Sequence, residues 1–183
     1  MRVGGVELSL LRPIAPEDLI DEEAFARDEF LPYWAELWPA ARALAAALPD
    51  VDGLRIVELG CGLGLPSLVA AARGAVVTAT DWAEEAVQLL RRNADRNGID
   101  LRVERRDWRE PSVERFELAL AADVLYERRN VEPLVERLST IAPASMLGLA
   151  GRPYEETFFR AWEGDVNEMA EHVVILSACS VAS

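Results

Sequence analysis

The sequence predicts an α/β domain: a doubly wound, mostly parallel sheet with helices on both faces. Two observations carry that prediction. From Leu54 onward, short apolar runs alternate with amphipathic stretches of helical period. The first run passes through a glycine-rich turn, IVELGCGLGLPS at residues 56–67, into an apolar stretch that reads as a helix.

Taken in order, the expected strands are Arg55–Leu59, Val76–Thr80, Leu101–Glu104, Leu118–Ala122 and Met146–Ala150. They are apolar with little alternation, as strands covered on both faces must be. Helices are expected at Leu65–Ala72, Glu84–Asn97 and Val131–Ile141. Asp81 is a candidate N-cap for the second, and Asn97-Gly98 is its stop signal. Upstream, the acidic segment Glu17–Glu29 reads as helical, and Pro39 suits the first turn of a helix that ends before Pro49. Downstream, a helix is expected at Glu155–Trp162 and a strand at His172–Ala178, with Asp165–Met169 as a short partner strand. No linker or repeat divides the chain, so residues 1–183 are expected as one domain. Residues 1–50 form a helical cap or lid and 51–183 a Rossmann-like core.

Composition narrows the function. A net charge of −13 from 19 basic and 32 acidic residues disfavours a phosphate-binding surface, so nucleic acid is not an expected partner. No apolar run approaches the ~18 residues that a membrane span requires, and the N-terminus lacks the pattern of a signal peptide. The two cysteines, Cys61 and Cys179, lie far apart, which points to a reducing cytoplasm. A monomer is the expected form. Every one of the 19 basic residues is arginine, so a lysine-modifying enzyme of this sequence cannot modify itself.

The turn holds glycines at alternate positions, Gly60, Gly62 and Gly64, behind the acidic Glu58. Its spacing misses the dinucleotide fingerprint, in which the third glycine comes one residue later. E-x-G-x-G-x-G instead resembles the first motif of class I S-adenosylmethionine-dependent methyltransferases. In a doubly wound sheet, ligands lie at the carboxyl ends of the strands. Asp81, ending the second strand, can accept hydrogen bonds from both ribose hydroxyls of an adenosine, a role compatible with capping the next helix. Trp82 offers a face for the adenine, or packs at the surface. Asp107 and Trp108 follow the third strand, where a carboxylate can select the exocyclic amine; the alternative is a surface turn with Arg–Asp pairing.

The fourth strand ends in AADVLYE, which sets Ala122 against the ligand and delivers Asp123 and Tyr126 as D-x-x-Y to the same edge. Methyl transfer needs a neutral nucleophile held in line, and alignment can supply ~7–11 kcal/mol. Asp123 can accept a hydrogen bond from an amine, and Tyr126 can cap or shield it; an N-cap and a core tyrosine are the plainer reading. Trp34 and Trp38 either pack against the sheet or form a lid that screens the ligand from water.

PYWAELWP, VELGCGLGLPSL, the two Asp-Trp pairs and ADVLY occur in this order. Together they resemble family 16 methyltransferases, which include many protein-lysine methyltransferases and their bacterial relatives. The likeness spans roughly residues 31–126. It implies a seven-stranded class I fold with S-adenosylmethionine over the glycine loop. Contacts to that cofactor are implied for Trp34, Glu58, Gly60, Asp81 and Asp107, with Asp123 and Tyr126 toward the substrate amine. Trp38, Cys61, Gly62, Gly64, Trp82, Trp108 and Ala122 complete the expected cofactor site. The acceptor is expected to be a protein lysine, with a small-molecule amine or a non-catalytic scaffold as alternatives. The only histidine, His172, leaves a His-based triad or metal cluster without parts. Cys61 reads as a small loop residue rather than a nucleophile.

Overall fold

The computed structural model describes residues 1–13 and 33–178. A hairpin of β1 (Arg2–Val3) and β2 (Val6–Glu7) opens the chain, and a 3-10 turn (Tyr33–Ala35) precedes α1 (Pro39–Ala47). The core follows as β3 (Arg55–Leu59), α2 (Leu65–Ala72), β4 (Val76–Asp81), α3 (Glu84–Asn97), β5 (Arg102–Arg105) and β6 (Leu118–Ala122). A second 3-10 turn (Arg128–Asn130) leads to α4 (Val131–Ile141), β7 (Ala144–Gly148), α5 (Glu155–Ala161), β8 (Asp165–Ala170) and β9 (Val173–Ser177).

Seven strands form one sheet in the order β5-β4-β3-β6-β7-β9-β8. The pairs from β5 to β7 are parallel, whereas β9 runs antiparallel to both β7 and β8. The chain reverses its direction of travel across the sheet between β3 and β6, so the switch point lies over their carboxyl ends. Register aligns those ends: Leu59 lies opposite Thr80 and Ala121, Asp81 opposite Arg105, and Ala122 opposite Gly148.

Successive residues of the central strands feed opposite faces. Ile56, Leu120 and Met146 join a core with Leu44 of α1, Leu68 of α2 and Leu90 of α3. Val57, Ala121 and Leu147 face Leu134 and Leu138 of α4 and Phe158 of α5. The near-continuous apolar runs in the sequence are therefore strands covered on both sides.

Most elements fall where expected, and the departures have physical causes. β7 runs two residues earlier than the apolar run suggests, because Ala144 and Ser145 pair with Leu118 and Ala119. Asp81 is the last residue of β4 rather than a helix cap; Ala83 occupies that position, and Asp81 Oδ1 accepts its backbone N–H at 2.9 Å. His172 belongs to the turn before β9, with φ of +62°. The opening hairpin was not anticipated, although Gly4-Gly5, with φ of +56° and +81°, suits a two-residue hairpin turn. The segment after it is strapped to α3 through Asn93, which accepts from the Leu11 N–H at 2.6 Å and donates to the Leu11 carbonyl at 3.1 Å. The expected Glu17–Glu29 helix and Cys179 lie outside the described residues.

Gly64 joins the glycine turn to α2 and also sets how closely α3 approaches it. Its φ is +69°, and a Cβ there would stand 2.3 Å from Leu90 Cδ1. Gly64→Ala is expected to cost roughly 2–4 kcal/mol from the left-handed backbone and the overlap together. Urea denaturation of the two proteins measures it, and a loss below 1 kcal/mol would show that Leu90 yields freely.

Candidate active site

A cleft of about 730 Å³, measured with its open mouth, lies over the switch point. That falls within the ~300–1,000 Å³ usual for small-molecule sites. The glycine loop forms its floor, Asp81 and Trp82 one wall, Ala122 to Tyr126 another, and the segment from Tyr33 to Trp38 crosses above. Its charged lining comprises Glu36, Glu58, Asp81 and Asp123, and no described lining residue is basic.

The loop is held from beneath by two carboxylates. Glu58 is 1% exposed, and its Oε2 accepts from both the backbone N–H (2.9 Å) and the hydroxyl of Ser67 in α2. Burial pushes its pKa up to about 8, against the pull of the Ser67 hydrogen bonds. Asp81 bridges the loop and the next element: Oδ2 accepts from the Gly62 N–H at 2.9 Å while Oδ1 accepts from Ala83. Burial raises its pKa too, opposed by the N–H groups of Ala83, Gly62 and Trp82. Each oxygen retains a lone pair for a ligand.

Gly60 and Gly62 have φ of +65° and +50°. A Cβ on Gly60 would meet the Trp108 ring at 2.9 Å, and one on Gly62 would lie 3.2 Å from the Trp34 carbonyl. The loop is thus packed between the Trp108 ring and the backbone of the aromatic segment. Cys61 carries a free, buried thiol whose pKa rises well above normal through burial and the nearby Asp81 and Glu58 charges. Such a thiol is a poor nucleophile.

Asp123 and Tyr126 face the same cleft. Asp123 adopts φ of +56°, an uncommon backbone state for a residue other than glycine. Burial, with the charges of Glu127 and Asp81, raises the Tyr126 hydroxyl to about 12, so it remains a donor at neutral pH. Its ring lies 4.7 Å from that of Tyr33, and the Tyr33 carbonyl accepts from Trp38 Nε1 at 2.8 Å.

Asp107 stands apart from this group. It borders a smaller adjoining hollow with Trp82, Trp108 and Tyr126, and it accepts from the backbone and guanidinium of Arg109. Burial raises its carboxyl, but the Arg109 hydrogen bonds and charge outweigh that and leave it below the usual range. Tyr33, from the aromatic segment read as packing or lid, lines the cleft; Arg152, behind Asp123, and Ser67, beneath the loop, were not anticipated. A single arginine among 19 carries no spacing signal, and Ser67 reads as an ordinary first-turn residue. Among the described residues, no group of His, Cys, Asp and Glu could hold a metal ion.

The alternate-glycine loop, a ribose-height carboxylate, flanking indoles and an acidic lining fit an adenosine bearing a cationic sulfonium. The fold and cleft define a class I S-adenosylmethionine-dependent methyltransferase. Residues 35–163 match the family model described as lysine methyltransferase, methyltransferase family 16. The chain belongs to that family, and S-adenosylmethionine is the cofactor expected in its cleft.

Among curated relatives, the histidine protein methyltransferase 1 homolog of Dictyostelium discoideum is 27% identical over 72% of this chain and 44% of its own length. The electron transfer flavoprotein beta subunit lysine methyltransferase of Xenopus laevis is 32% identical over 58% of this chain and 46% of its own. For the protein N-lysine methyltransferase METTL21A of Danio rerio the figures are 32%, 59% and 55%. The chain spans about half the length of these relatives. The Thermus thermophilus 16S rRNA N2 G1207 methyltransferase, solved with AdoMet and guanosine, aligns with a TM-score of 0.64 at 20% identity. That alignment covers 79% of this chain and 44% of the other. The Synechocystis magnesium protoporphyrin IX methyltransferase with bound SAM aligns at 0.59 and 17% identity, covering 70% and 71%. These two likenesses establish the fold alone.

The buried Glu58 makes stability depend on pH. Its folded pKa of about 8 lies above the ordinary glutamate value of 4.5. The stability that its proton supports is therefore full below the lower value and is lost as pH rises through the upper one. Glu58→Gln keeps an acceptor for Ser67 but cannot ionise. Thermal melts of both proteins from pH 5 to 9 should diverge, with the variant gaining roughly 2–4 kcal/mol relative to wild type at the alkaline end. Parallel curves would mean that Glu58 is ionised throughout.

Proposed function

We propose that this protein transfers a methyl group from S-adenosylmethionine to a nitrogen, and that the acceptor is a lysine side chain of a protein. The supporting observation is that Asp123 and Tyr126 line the same cleft as the glycine loop. Bound S-adenosylmethionine supplies an electrophilic methyl on a sulfonium centre. Asp81 and the loop hold the adenosine end, with Trp82 and Trp108 beside it and Glu58 bracing the loop from below. Trp34 and Trp38 cover the cleft and keep water from the reacting centre.

At the acceptor end, lone pairs on Asp123 receive an N–H and orient the nitrogen. Tyr126 stays protonated and walls the nitrogen against solvent. These groups align and desolvate, which is most of what in-line displacement requires. The lysine acceptor draws further support from the family match and from the two lysine-modifying relatives. No helix among the described residues is long and apolar enough to cross a membrane. The scarcity of cysteine, two in the sequence, supports a reducing cytoplasm, and a net charge of −13 supports a monomer.

Two measurements test this reading. Asp81→Ala should weaken S-adenosylhomocysteine binding by about tenfold or more in calorimetry, with a melt confirming that the variant is folded; unchanged affinity would displace the assigned site. In an extract of the native host supplied with methyl-labelled S-adenosylmethionine, label should enter protein on lysine. Because this chain contains no lysine, its own band should stay blank. Label on histidine, or confined to small molecules, would refute the lysine assignment.

A further inference from the structure

The Asp123 carboxylate is not open on all sides. Arg152, in the loop after β7, donates from Nε to Oδ1 at 2.6 Å and from Nη2 to Oδ2 at 2.8 Å. The Asp123 side chain is 2% exposed and that of Arg152 is 30%. Asp123 lines the cleft, whereas Arg152 does not. The guanidinium also lies 5.2 Å from the ring centre of Trp38, so the aromatic segment covers it. A two-pronged, partly buried fork of this kind fixes a carboxylate's plane far better than a single bond does.

We propose that Arg152 is a positioning residue for the methyl-accepting nitrogen, acting through Asp123. It sets the orientation of the carboxylate and offsets its charge, so that the nitrogen is held in its unprotonated form. This rests on the reading of Asp123 and Tyr126 as the acceptor end.

The chemical reason is a conflict within an anionic site. An amine must be neutral to attack, yet an unpaired carboxylate beside it favours the ammonium and raises its pKa. Other groups around Asp123 worsen the conflict. Glu36 and Asp81 line the same cleft and Glu155 opens α5 next to Asp123, whereas Glu58 carries a proton at neutral pH and Glu127, beside Tyr126, is paired with Arg129. Tyr126 is a neutral donor at physiological pH, and buried Cys61 is an un-ionised thiol. No described residue lining the cleft is basic, so the charge that balances Asp123 comes from behind it. With one lone pair of each oxygen taken by Arg152, Asp123 is left the task of accepting one N–H through a remaining lone pair.

The test follows methyl transfer from labelled S-adenosylmethionine into native-host extract between pH 6 and 10, counting protein and small molecules separately. Wild type, Arg152→Gln and Arg152→Lys are compared. Arg152→Gln should be about tenfold or more slower at pH 7, with its rate rising toward wild type at a midpoint ~1–3 units higher. Arg152→Lys keeps the cation but loses the fork, so it should be slower at the wild-type midpoint. If Arg152→Gln is slower at every pH with an unmoved midpoint, or faster throughout, the proposal is overturned. Should Arg152→Gln fail to fold, the Arg152→Lys midpoint decides, and a shifted one counts against the proposal. Label confined to small molecules would refute the protein acceptor while the midpoints still judge Arg152. No label from wild type in either fraction would overturn both.

Discussion

The site depends on one carboxylate. Asp81 ends β4, and its two oxygens reach in different directions, one to the glycine loop after β3 and one to the start of α3. These bonds tie the neighbouring turns after β3 and β4 together, beside the point where the sheet reverses its winding. Burial makes a charged Asp81 costly, and the surrounding N–H groups answer that cost. A ligand carrying two hydroxyls would complete the hydrogen bonding of a group already oriented by the fold. In the proposed reading, the group that shapes the loop is thereby also the group offered to the cofactor.

Much of this was legible in the sequence because parallel strands buried on both faces leave few alternatives. Leu65–Ala72, Glu84–Asn97 and Val131–Ile141 occur with the expected bounds, as do Arg55–Leu59 and Leu118–Ala122. Each joins strong periodicity or apolar continuity to a clear stop, such as Gly98 in the left-handed state after α3. Where the cue was weaker, the reading slipped: Ala144 and Ser145 are small and unassuming, yet they hold register with β6. The order of the last strands was beyond reach, since an antiparallel return depends on pairing rather than on local pattern. Among the candidate site residues, Glu58, Asp81 and Asp123 could be placed by rule, as each lies at or beside the carboxyl end of a strand. Their partners could not. Ser67 and Arg152 meet them only through the folded backbone, across 9 and 29 positions of sequence.

A chain of contacts joins Asp123 and Tyr126 to the covering segment. The Tyr126 ring packs on Tyr33, Tyr33 accepts from Trp38, Trp38 lies under Arg152, and Arg152 returns to Asp123. One short segment thus meets Tyr126 directly and Asp123 through Arg152. Aromatic side chains suit this task because they bury large area with few rotatable bonds. In the proposed reading the cover and the chemistry are set by the same packing, and displacement of Tyr33 or Trp38 would disturb both ends of the pair.

The far margin of the sheet has a different logic. β8 is exposed along all six of its residues, carries Asp165 and Glu168, and shifts register between Glu168 and Ala170 where it meets β9. An open strand is ordinarily a template on which another chain can grow. Here like charges and a local kink interrupt the row of backbone donors and acceptors that a second copy would need. The sheet thus ends in an edge whose charges and register shift work against pairing with a second copy, while Val166 and Met169 stay exposed along it.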